Sequence, residues 1–299
     1  MEMTKIVSKD EMHDVIVMED PLRPCLVTEW AKTINGTEWH VKKDSTCGYE
    51  VASYKASGFM DIKNIGNVAE ALRQRGCQVS EKCGLHVHAD LSDHTQAMAG
   101  NLMAWWLKIE SVVLQGVPAH RRNNQHCRMM RDKYEVETLI AKDPEGLYYR
   151  LEPTDLGDHN NLEKRVTLNF VPYAYRLRNE NFKKCTAEIR FPEGSLRKED
   201  IENWVRFYLM LVETSKTRKF PETLQAATLD ETLQAIGLMG MPDTFYILSK
   251  DLFETKRWFL KRLLQFSKYK SIYDEALVHL NNMTQPEEIH YRARLGLHC

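Results

Sequence analysis

The sequence lacks the features that would place the chain in a membrane, outside the cell or on nucleic acid. No uninterrupted apolar run approaches the ~20 residues that a membrane-spanning helix needs. Basic and acidic residues nearly balance, at 41 against 42, so the chain has no basic excess of the kind that nucleic-acid binders show. Residues 1–20 lack the basic start and apolar middle of a signal peptide. We therefore expect a cytoplasmic protein with neither a membrane nor a nucleic-acid partner.

Patterned cysteines and repeats are also missing. The seven cysteines are scattered and no two are spaced as C-x-x-C, which argues against a zinc ribbon or a thioredoxin motif. Buried free thiols are the simpler interpretation of an odd number of unpatterned cysteines. No internal repeat, low-complexity tract or Gly/Ser-rich linker divides the chain. The 299 residues, 43% of them hydrophobic and 28% charged, are ordinary for a globular enzyme with a sizeable core.

The sequence pattern changes near residue 194. Before that point, short alternating segments are mixed with two helices, which apolar residues at helical spacing predict at 61–75 and 95–115. Beyond it the sequence is almost entirely helical in pattern, with helices predicted at 201–214, 221–238, 244–265 and 272–280. We expect a catalytic domain over residues 1–220 and a helical extension over residues 221–299, packed on it as one continuous unit.

Four short segments alternate between apolar and polar side chains, as strands with one buried face do. They are predicted at 49–53, 84–90, 165–170 and 185–191. An ordinary solvent-facing side would carry Lys, Thr and Glu. Here it carries imidazole, guanidinium, amide and carboxylate groups. The polar side chains are Glu50, His86, His88, Asp90, Arg165, Thr167, Asn169, Thr186, Glu188 and Arg190.

These residue types suit a site for a metal and a phosphate. Imidazoles and carboxylates bind divalent metals, and the planar fork of arginine binds two phosphate oxygens at once. If the strands are neighbours, their polar face would hold metal ligands beside phosphate binders, as a Mg–nucleotide site requires. Each part also has an ordinary interpretation. A His-x-His strand need not bind metal, and Glu188 with Arg190 would be worth little as a surface ion pair. Arg121 and Arg122, in a predicted loop, would ordinarily form a solvated turn.

Five segments in order resemble the amidoligase family, relatives of glutamine synthetase and gamma-glutamylcysteine synthetase. Residues 83–88 (CGLHVH) resemble its HVH signature. Residues 39–46 (WHVKKDST) and 49–53 (YEVAS) resemble its W-x-V-x-x-D-x-S/T element and the acidic strand after it. Residues 121–127 resemble its R-x-x-N-x-Y-C loop, with His126 in place of the tyrosine. The resemblance covers roughly residues 25–215.

The other two segments lie further along the chain. Residues 165–170 (RVTLNF) are similar to the family's R-Y-x-x-L-N strand, with Val166 in place of the tyrosine. Residues 186–190 (TAEIR), followed by Gly194 and Ser195, resemble its T-V-E-F-R…G-T/S element. This chain departs from the family in one element, because it has no equivalent of the family's opening G-x-E-x-E strand. The nearest candidate is residues 26–30, where Glu29 would be a metal ligand, and the number of metals is then reduced.

The resemblance implies an α+β fold built on a curved antiparallel sheet of the glutamine-synthetase type. The concave face would hold ATP and Mg²⁺ or Mn²⁺, helices would cover the convex face, and the C-terminal part would be helical. The implied metal ligands are Glu29, Glu50, His86, His88 and Glu188. Arg190 would stabilise the transferred phosphoryl group, and Arg121 and Arg165 would contact phosphate or substrate. Asn169 would help position the metal-ligating side chain of the strand. Arg190, Glu50 and Arg165 are the expected catalytic residues.

The resulting hypothesis is an ATP-dependent carboxylate–amine ligase that forms an amide through an acyl phosphate. The carboxylate and amine substrates would be small molecules or peptides of unspecified identity, and the oligomeric state stays open. One alternative is a metal-dependent hydrolase that uses the His86/His88 pair to activate water. The other is a non-catalytic relative that binds a nucleotide or a partner, which the missing G-x-E-x-E strand favours.

Overall fold

The computed structural model describes residues 14–18, 39–44, 48–134, 143–153, 164–239 and 246–283. Its class is α+β, as predicted, with small antiparallel sheets and a predominance of helix. Glu29 and the segment around it lie outside the described residues. In the part of the chain that the structure describes, no helix is long and apolar enough to span a membrane.

In the described ranges, six strands form two antiparallel sheets of three strands each. The first sheet has the order β1-β3-β2 and the second has the order β4-β6-β5. Strand β1 of the first sheet lies against β4 of the second. The strands are β1 (Asp14–Met18), β2 (His40–Asp44), β3 (Gly48–Ala52), β4 (Val87–Asp90), β5 (Leu168–Asn169) and β6 (Thr186–Ile189).

Helices connect and cover the sheets. In the described residues they are α1 (Gly58–Gln74), α2 (Gln96–Val113), α3 (Ala119–Arg122), α4 (Met130–Tyr134), α5 (Pro144–Leu151), α6 (Val171–Arg178), α7 (Lys198–Thr217), α8 (Leu229–Ile236), α9 (Tyr246–Phe266) and α10 (Lys270–Asn281). A 3-10 turn over Leu114–Gly116 continues α2.

Local sequence signals explain where several helices begin and end. Thr95 caps α2 by accepting a hydrogen bond from the amide of Met98. Thr228 and Glu231 form a reciprocal capping box at the start of α8. Helix α8 ends at Gly237, whose φ of 82° is the left-handed conformation that glycine adopts without strain. These short-range rules explain where α2 and α8 begin and where α8 ends.

A chain of aromatic rings joins the second sheet to the helices behind it. Trp106 of α2 packs on Phe191 with 5.3 Å between ring centroids, and Phe191 packs on Trp204 of α7 at 5.0 Å. Trp204 in turn meets Trp258 of α9 edge to face at 4.8 Å. Helix α7 also packs on α1, α2 and β4. One continuous hydrophobic core therefore runs from the sheet to the C-terminal helices.

The structure corrects several predicted elements. Of the strand predicted at 165–170, only Leu168–Asn169 is regular, and Thr167 turns away to bond Trp106 in the helical layer. The predicted helix at 221–238 shrinks to α8, and the predicted loop around Arg121 is the short helix α3. The domain boundary near residue 220 stays a prediction.

Candidate active site

Three residues form a row across the second sheet. The antiparallel register places His88 opposite Glu188, and Glu188 opposite Asn169. Directly opposed residues of neighbouring strands present their side chains on the same face. The predicted polar sides of residues 84–90, 165–170 and 185–191 therefore meet at these positions. The adjacent opposed pair, Val87 and Ile189, is apolar and fully buried.

Glu188 is the centre of the cluster. Its Oε1 accepts a hydrogen bond from Arg190 Nη1 at 2.6 Å and lies 3.3 Å from His86 Nδ1 and 3.5 Å from His88 Nε2. Its Oε2 accepts a hydrogen bond from Asn169 Nδ2 at 2.8 Å. The carboxylate is 5% exposed, so these partners replace water almost completely. We name these five residues, His86, His88, Asn169, Glu188 and Arg190, the Glu188 cluster.

The charges of the cluster determine its protonation state. Burial favours a neutral Glu188, but the guanidinium of Arg190 and the adjacent imidazoles outweigh burial and hold its pKa well below 4.5. Burial, reinforced by Arg190, lowers the pKa of His86 well below 6.5. At neutral pH the cluster therefore contains an ionised carboxylate beside a neutral imidazole. These are the protonation states in which both groups bind cations.

Arg190 is held from several directions. Its Nε donates to the carbonyl of His126 at 3.4 Å, and its backbone amide donates to the carbonyl of Thr167 at 3.0 Å. Arg121, on α3, donates from Nη2 to the carbonyl of Arg190 at 2.6 Å and from Nε to the carbonyl of Phe191 at 3.1 Å. Arg121 is only 3% exposed, so it is not part of a solvated turn.

Gly84 makes room for this arrangement. A Cβ on Gly84 would lie 3.0 Å from Arg121 Nη2 and 3.4 Å from His86 Nε2. The first distance is shorter than about nine in ten real Cβ contacts. The glycine of the CGLHVH segment therefore lets a guanidinium and an imidazole approach the strand backbone. A side chain at this position would have to displace the Arg121 guanidinium by a few tenths of an ångström.

The remaining predicted site residues lie elsewhere. Glu50 is buried, at 3% exposure, in β3 of the first sheet. Arg165 precedes the regular part of β5 and is partly buried, and its carbonyl accepts a hydrogen bond from the amide of Arg128 at 3.0 Å. Glu29 lies outside the described residues. The roles assigned to these three residues stay predictions.

Sequence reasoning missed Glu110, a fully buried carboxylate on α2. It accepts hydrogen bonds from the amides of Met130 and Arg131 at 2.8 and 3.0 Å, and from the hydroxyl of Thr167. Burial raises its pKa to about 7, although these hydrogen bonds favour the ionised form. The only sequence signal was a carboxylate beside the apolar stripe of a predicted helix.

The Glu188 cluster can be compared with what a divalent cation needs. Within the described ranges, no three His, Cys, Asp or Glu side chains are grouped as a metal site. His86 and His88 nevertheless approach the same ionised oxygen of Glu188, which also accepts the hydrogen bond from Arg190. Imidazole nitrogen is a ligand of transition metals, whereas Mg²⁺ prefers oxygen and water. As ligands, these donor types would suit Mn²⁺ better than Mg²⁺.

Comparison with known proteins identifies the family of the chain. A family model described as "putative amidoligase enzyme" matches residues 13–212. The match covers about two thirds of the 299 residues and includes every member of the Glu188 cluster. The chain belongs to this amidoligase family. No curated protein matches it significantly.

Proposed function

We propose that the protein is an ATP-dependent carboxylate–amine ligase that forms an amide through an acyl phosphate. The observation that carries the proposal is the Glu188 cluster, in which an ionised carboxylate, two imidazoles and a guanidinium share one face of a sheet. Membership of the amidoligase family supports amide-bond formation. The substrates would be a small or peptidic carboxylate and an amine.

The proposal includes a glutamine-synthetase-like curvature of the sheet. Because β1 lies against β4, the two three-stranded sheets can be the halves of one curved, glutamine-synthetase-like sheet. The polar faces of β3, β4 and β6 would then line a single concave surface. Glu50 would extend the Glu188 cluster from the neighbouring sheet. ATP would bind along this surface with helices behind it.

In the first step, an oxygen of the substrate carboxylate attacks the γ-phosphorus of ATP. The bond between that phosphorus and the β,γ-bridging oxygen breaks, and ADP leaves with the electron pair. Arg190 would neutralise charge on the equatorial oxygens as the phosphoryl group moves, which is the main protein contribution in such reactions. Its guanidinium side chain is 18% exposed and is therefore accessible from the polar face. Arg165 would contribute a second positive charge.

In the second step, the amine nitrogen attacks the carbonyl carbon of the acyl phosphate. The bond from that carbon to the phosphate oxygen breaks, inorganic phosphate leaves and the nitrogen loses a proton. Glu50 is our candidate for the group that takes the proton. A divalent cation bound by Glu188 with His86 and His88 would supply further charge neutralisation for the phosphates. Asn169 would hold Glu188 in place through its 2.8 Å hydrogen bond.

Arg121 takes a different role from the one that the resemblance suggests. Two of its nitrogens donate to the carbonyls of Arg190 and Phe191, so they are not available to phosphate in this arrangement. We propose that Arg121 fixes the backbone of Arg190 and thereby aims its side chain. It would act on phosphate indirectly, as a positioning residue.

A non-catalytic relative remains the second candidate, and β1 favours it. The family match begins at residue 13, and the strand that follows reads Asp-Val-Ile-Val-Met over Asp14–Met18. This strand has no G-x-E-x-E pattern, and its only acidic residue is the first. Loss of those two carboxylates would weaken the binding of metal and nucleotide. The same geometry could then bind a nucleotide without turning it over.

Calorimetry with ATP and either Mg²⁺ or Mn²⁺ tests the proposal. Glu188→Gln keeps the shape of the side chain but removes its charge, and Glu222→Gln is the matched control at a surface position that is 84% exposed. We expect metal-dependent binding in the wild type and the control, and loss in Glu188→Gln. Phosphate release that needs both a carboxylate and an amine would then identify a ligase.

The other outcomes separate the alternatives. Binding without turnover of any carboxylate–amine mixture would favour the non-catalytic relative. Metal-dependent hydrolysis of esters or amides without ATP would favour the hydrolase. No nucleotide binding by the wild type would refute the ligase proposal.

A further inference from the structure

Helix α9 lies beyond the residues that the family model matches, yet it is attached to the edge of the site. The family match ends at residue 212, and α9 spans Tyr246–Phe266. Its Arg262 is 5% exposed and reaches two segments that are distant in the chain. Nε donates to the carbonyl of Gly116 at 2.7 Å, and Nη2 donates to the carboxylate of Glu193.

The buried charge of the Arg262 guanidinium is balanced by acidic partners and aromatic rings. Its Nη1 lies 3.6 Å from Asp200 Oδ1, which also accepts a hydrogen bond from the indole of Trp258 at 3.0 Å. The rings of Trp204, Trp258 and Phe266 lie 5.3, 5.2 and 4.9 Å from its central carbon. A buried charge is tolerated only with such partners. Breaking one contact would therefore disturb the whole group.

The contact between Arg262 and Glu193 matters because Glu193 pairs with the segment that leads into His86. Past the end of β6, the chain continues alongside the segment that leads into His86. Glu193 forms a bridge with Gly84, Gly194 donates to the carbonyl of Cys83 at 3.0 Å, and Leu85 donates to the carbonyl of Pro192 at 3.2 Å. We name this contact between residues 83–85 and 192–194 the outer pairing. It joins the strand of His86 to the strand of Glu188 and Arg190.

A second arginine, Arg122, joins the short helix α3 to the end of α9. Arg122 donates from Nη2 to the carbonyl of Phe266, at the end of α9, and from Nε to the carbonyl of Val117 at 3.0 Å. Its neighbour Arg121 holds the carbonyls of Arg190 and Phe191. The end of α9 thus supports both the outer pairing and the short helix α3.

We propose that Arg262 is a positioning residue through which the C-terminal helix α9 holds the outer pairing and so aligns His86 with Glu188 and Arg190. As far as it concerns nucleotide binding, this inference rests on the proposed function. Lysine could not replace arginine here. A lysine ammonium is a point charge that cannot donate in three fixed directions or stack on three rings.

Hydrogen exchange on Arg262→Lys tests the inference without any ligand. The reporters are the amides of Leu85 and Gly194, and those of Val68 and Leu72 in α1 serve as the internal reference. Arg257→Lys is the matched control, because Arg257 lies on the same helix and its side chain is 40% exposed. We expect exchange at Leu85 and Gly194 to accelerate at least tenfold in Arg262→Lys only. Glu193→Gln, which removes the charge that Arg262 binds, should accelerate the same amides.

Two results would overturn the inference. One is unchanged exchange at Leu85 and Gly194 in Arg262→Lys, and the other is acceleration by the same factor at Val68 and Leu72, which would indicate general destabilisation. ATP affinity is measured in parallel and should fall at least tenfold in Arg262→Lys but not in Arg257→Lys. If the wild type binds no ATP, the proposed function fails, and the exchange data still decide the role of Arg262.

Discussion

The buried carboxylate of Glu110 should make stability depend on pH in an unusual direction. Burial raises its pKa from 4.5 to about 7 in the folded protein. Below pH 4.5 the group is protonated in both the folded and the unfolded chain. Between about pH 4.5 and 7 the unfolded chain releases the proton and the folded chain retains it. The free energy of unfolding therefore falls as pH rises through this window.

The magnitude follows from the displacement of the pKa. One pKa unit corresponds to about 1.4 kcal/mol, so a rise from 4.5 to about 7 costs the folded state about 3 kcal/mol at high pH. Measured between pH 5 and pH 8, the loss should be about 2 to 3 kcal/mol, because part of the window lies below pH 5. Glu110 is fully buried, so solvent does not screen the effect.

Urea unfolding of the wild type and Glu110→Gln at pH 5 and pH 8 measures this contribution. The amide cannot ionise, so the variant should lack this part of the slope. At pH 5 it should also be less stable by about 1 to 3 kcal/mol, because an amide N–H would face a backbone N–H donor. At pH 8 this deficit should shrink to about zero or reverse, because only the wild type loses about 2 to 3 kcal/mol as pH rises. Comparing the two proteins removes the contribution of other groups, including Glu188, whose lowered pKa favours stability at high pH.

Parallel profiles of unfolding free energy against pH for the two proteins would refute this reasoning. If the wild type and Glu110→Gln lose the same free energy between pH 5 and pH 8, then Glu110 is ionised in the folded protein across that range. Its three hydrogen bonds would then outweigh burial. The predicted role of burial at this position would be wrong.

Three further predictions concern packing, capping and protonation. Gly194→Ala should destabilise by about 1 to 3 kcal/mol in urea unfolding, because its Cβ would lie 2.5 Å from the Cβ of Cys83; an unchanged midpoint would contradict the packing. Thr228→Ala should cost about 1 kcal/mol through loss of the capping box, whereas Ser57→Ala, at an N-cap with no side-chain hydrogen bond, should cost much less. Equal costs would count against the cap. In an NMR titration, His86 should remain neutral at pH 6, because burial and Arg190 lower its pKa; a midpoint at or above 6.5 would contradict this.

The candidate site was predictable in composition but not in arrangement. Alternation along a strand placed His86 with His88 and Glu188 with Arg190, because side chains two residues apart share a face. It failed for Thr167, which turns towards Glu110 where the strand loses regular pairing. A period of two holds only while the backbone stays extended, and no local signal marked that bend.

Buried charges were the hardest features to predict. Arg121 could be read as a solvated turn or as a phosphate contact, but the structure shows it bound to carbonyls about 70 residues away in sequence. Glu110 and Arg262 carry no motif, and their partners are likewise far along the chain. Their burial depends on which segments fold over them. Sequence spacing contains no information of that kind.

The sequence by itself determined the family, the α+β class, most of the helices and the chemical types on the polar strand faces. These properties depend on local periodicity, capping residues and short motifs. Only the tertiary structure decided that Glu188 meets His86, His88, Asn169 and Arg190, and that α9 supports their alignment. The register of β5 on β6 decides the contact with Asn169, and the register of β4 on β6 decides the contacts with the two imidazoles. That register joins residues about 100 positions apart through the packing of a shared core.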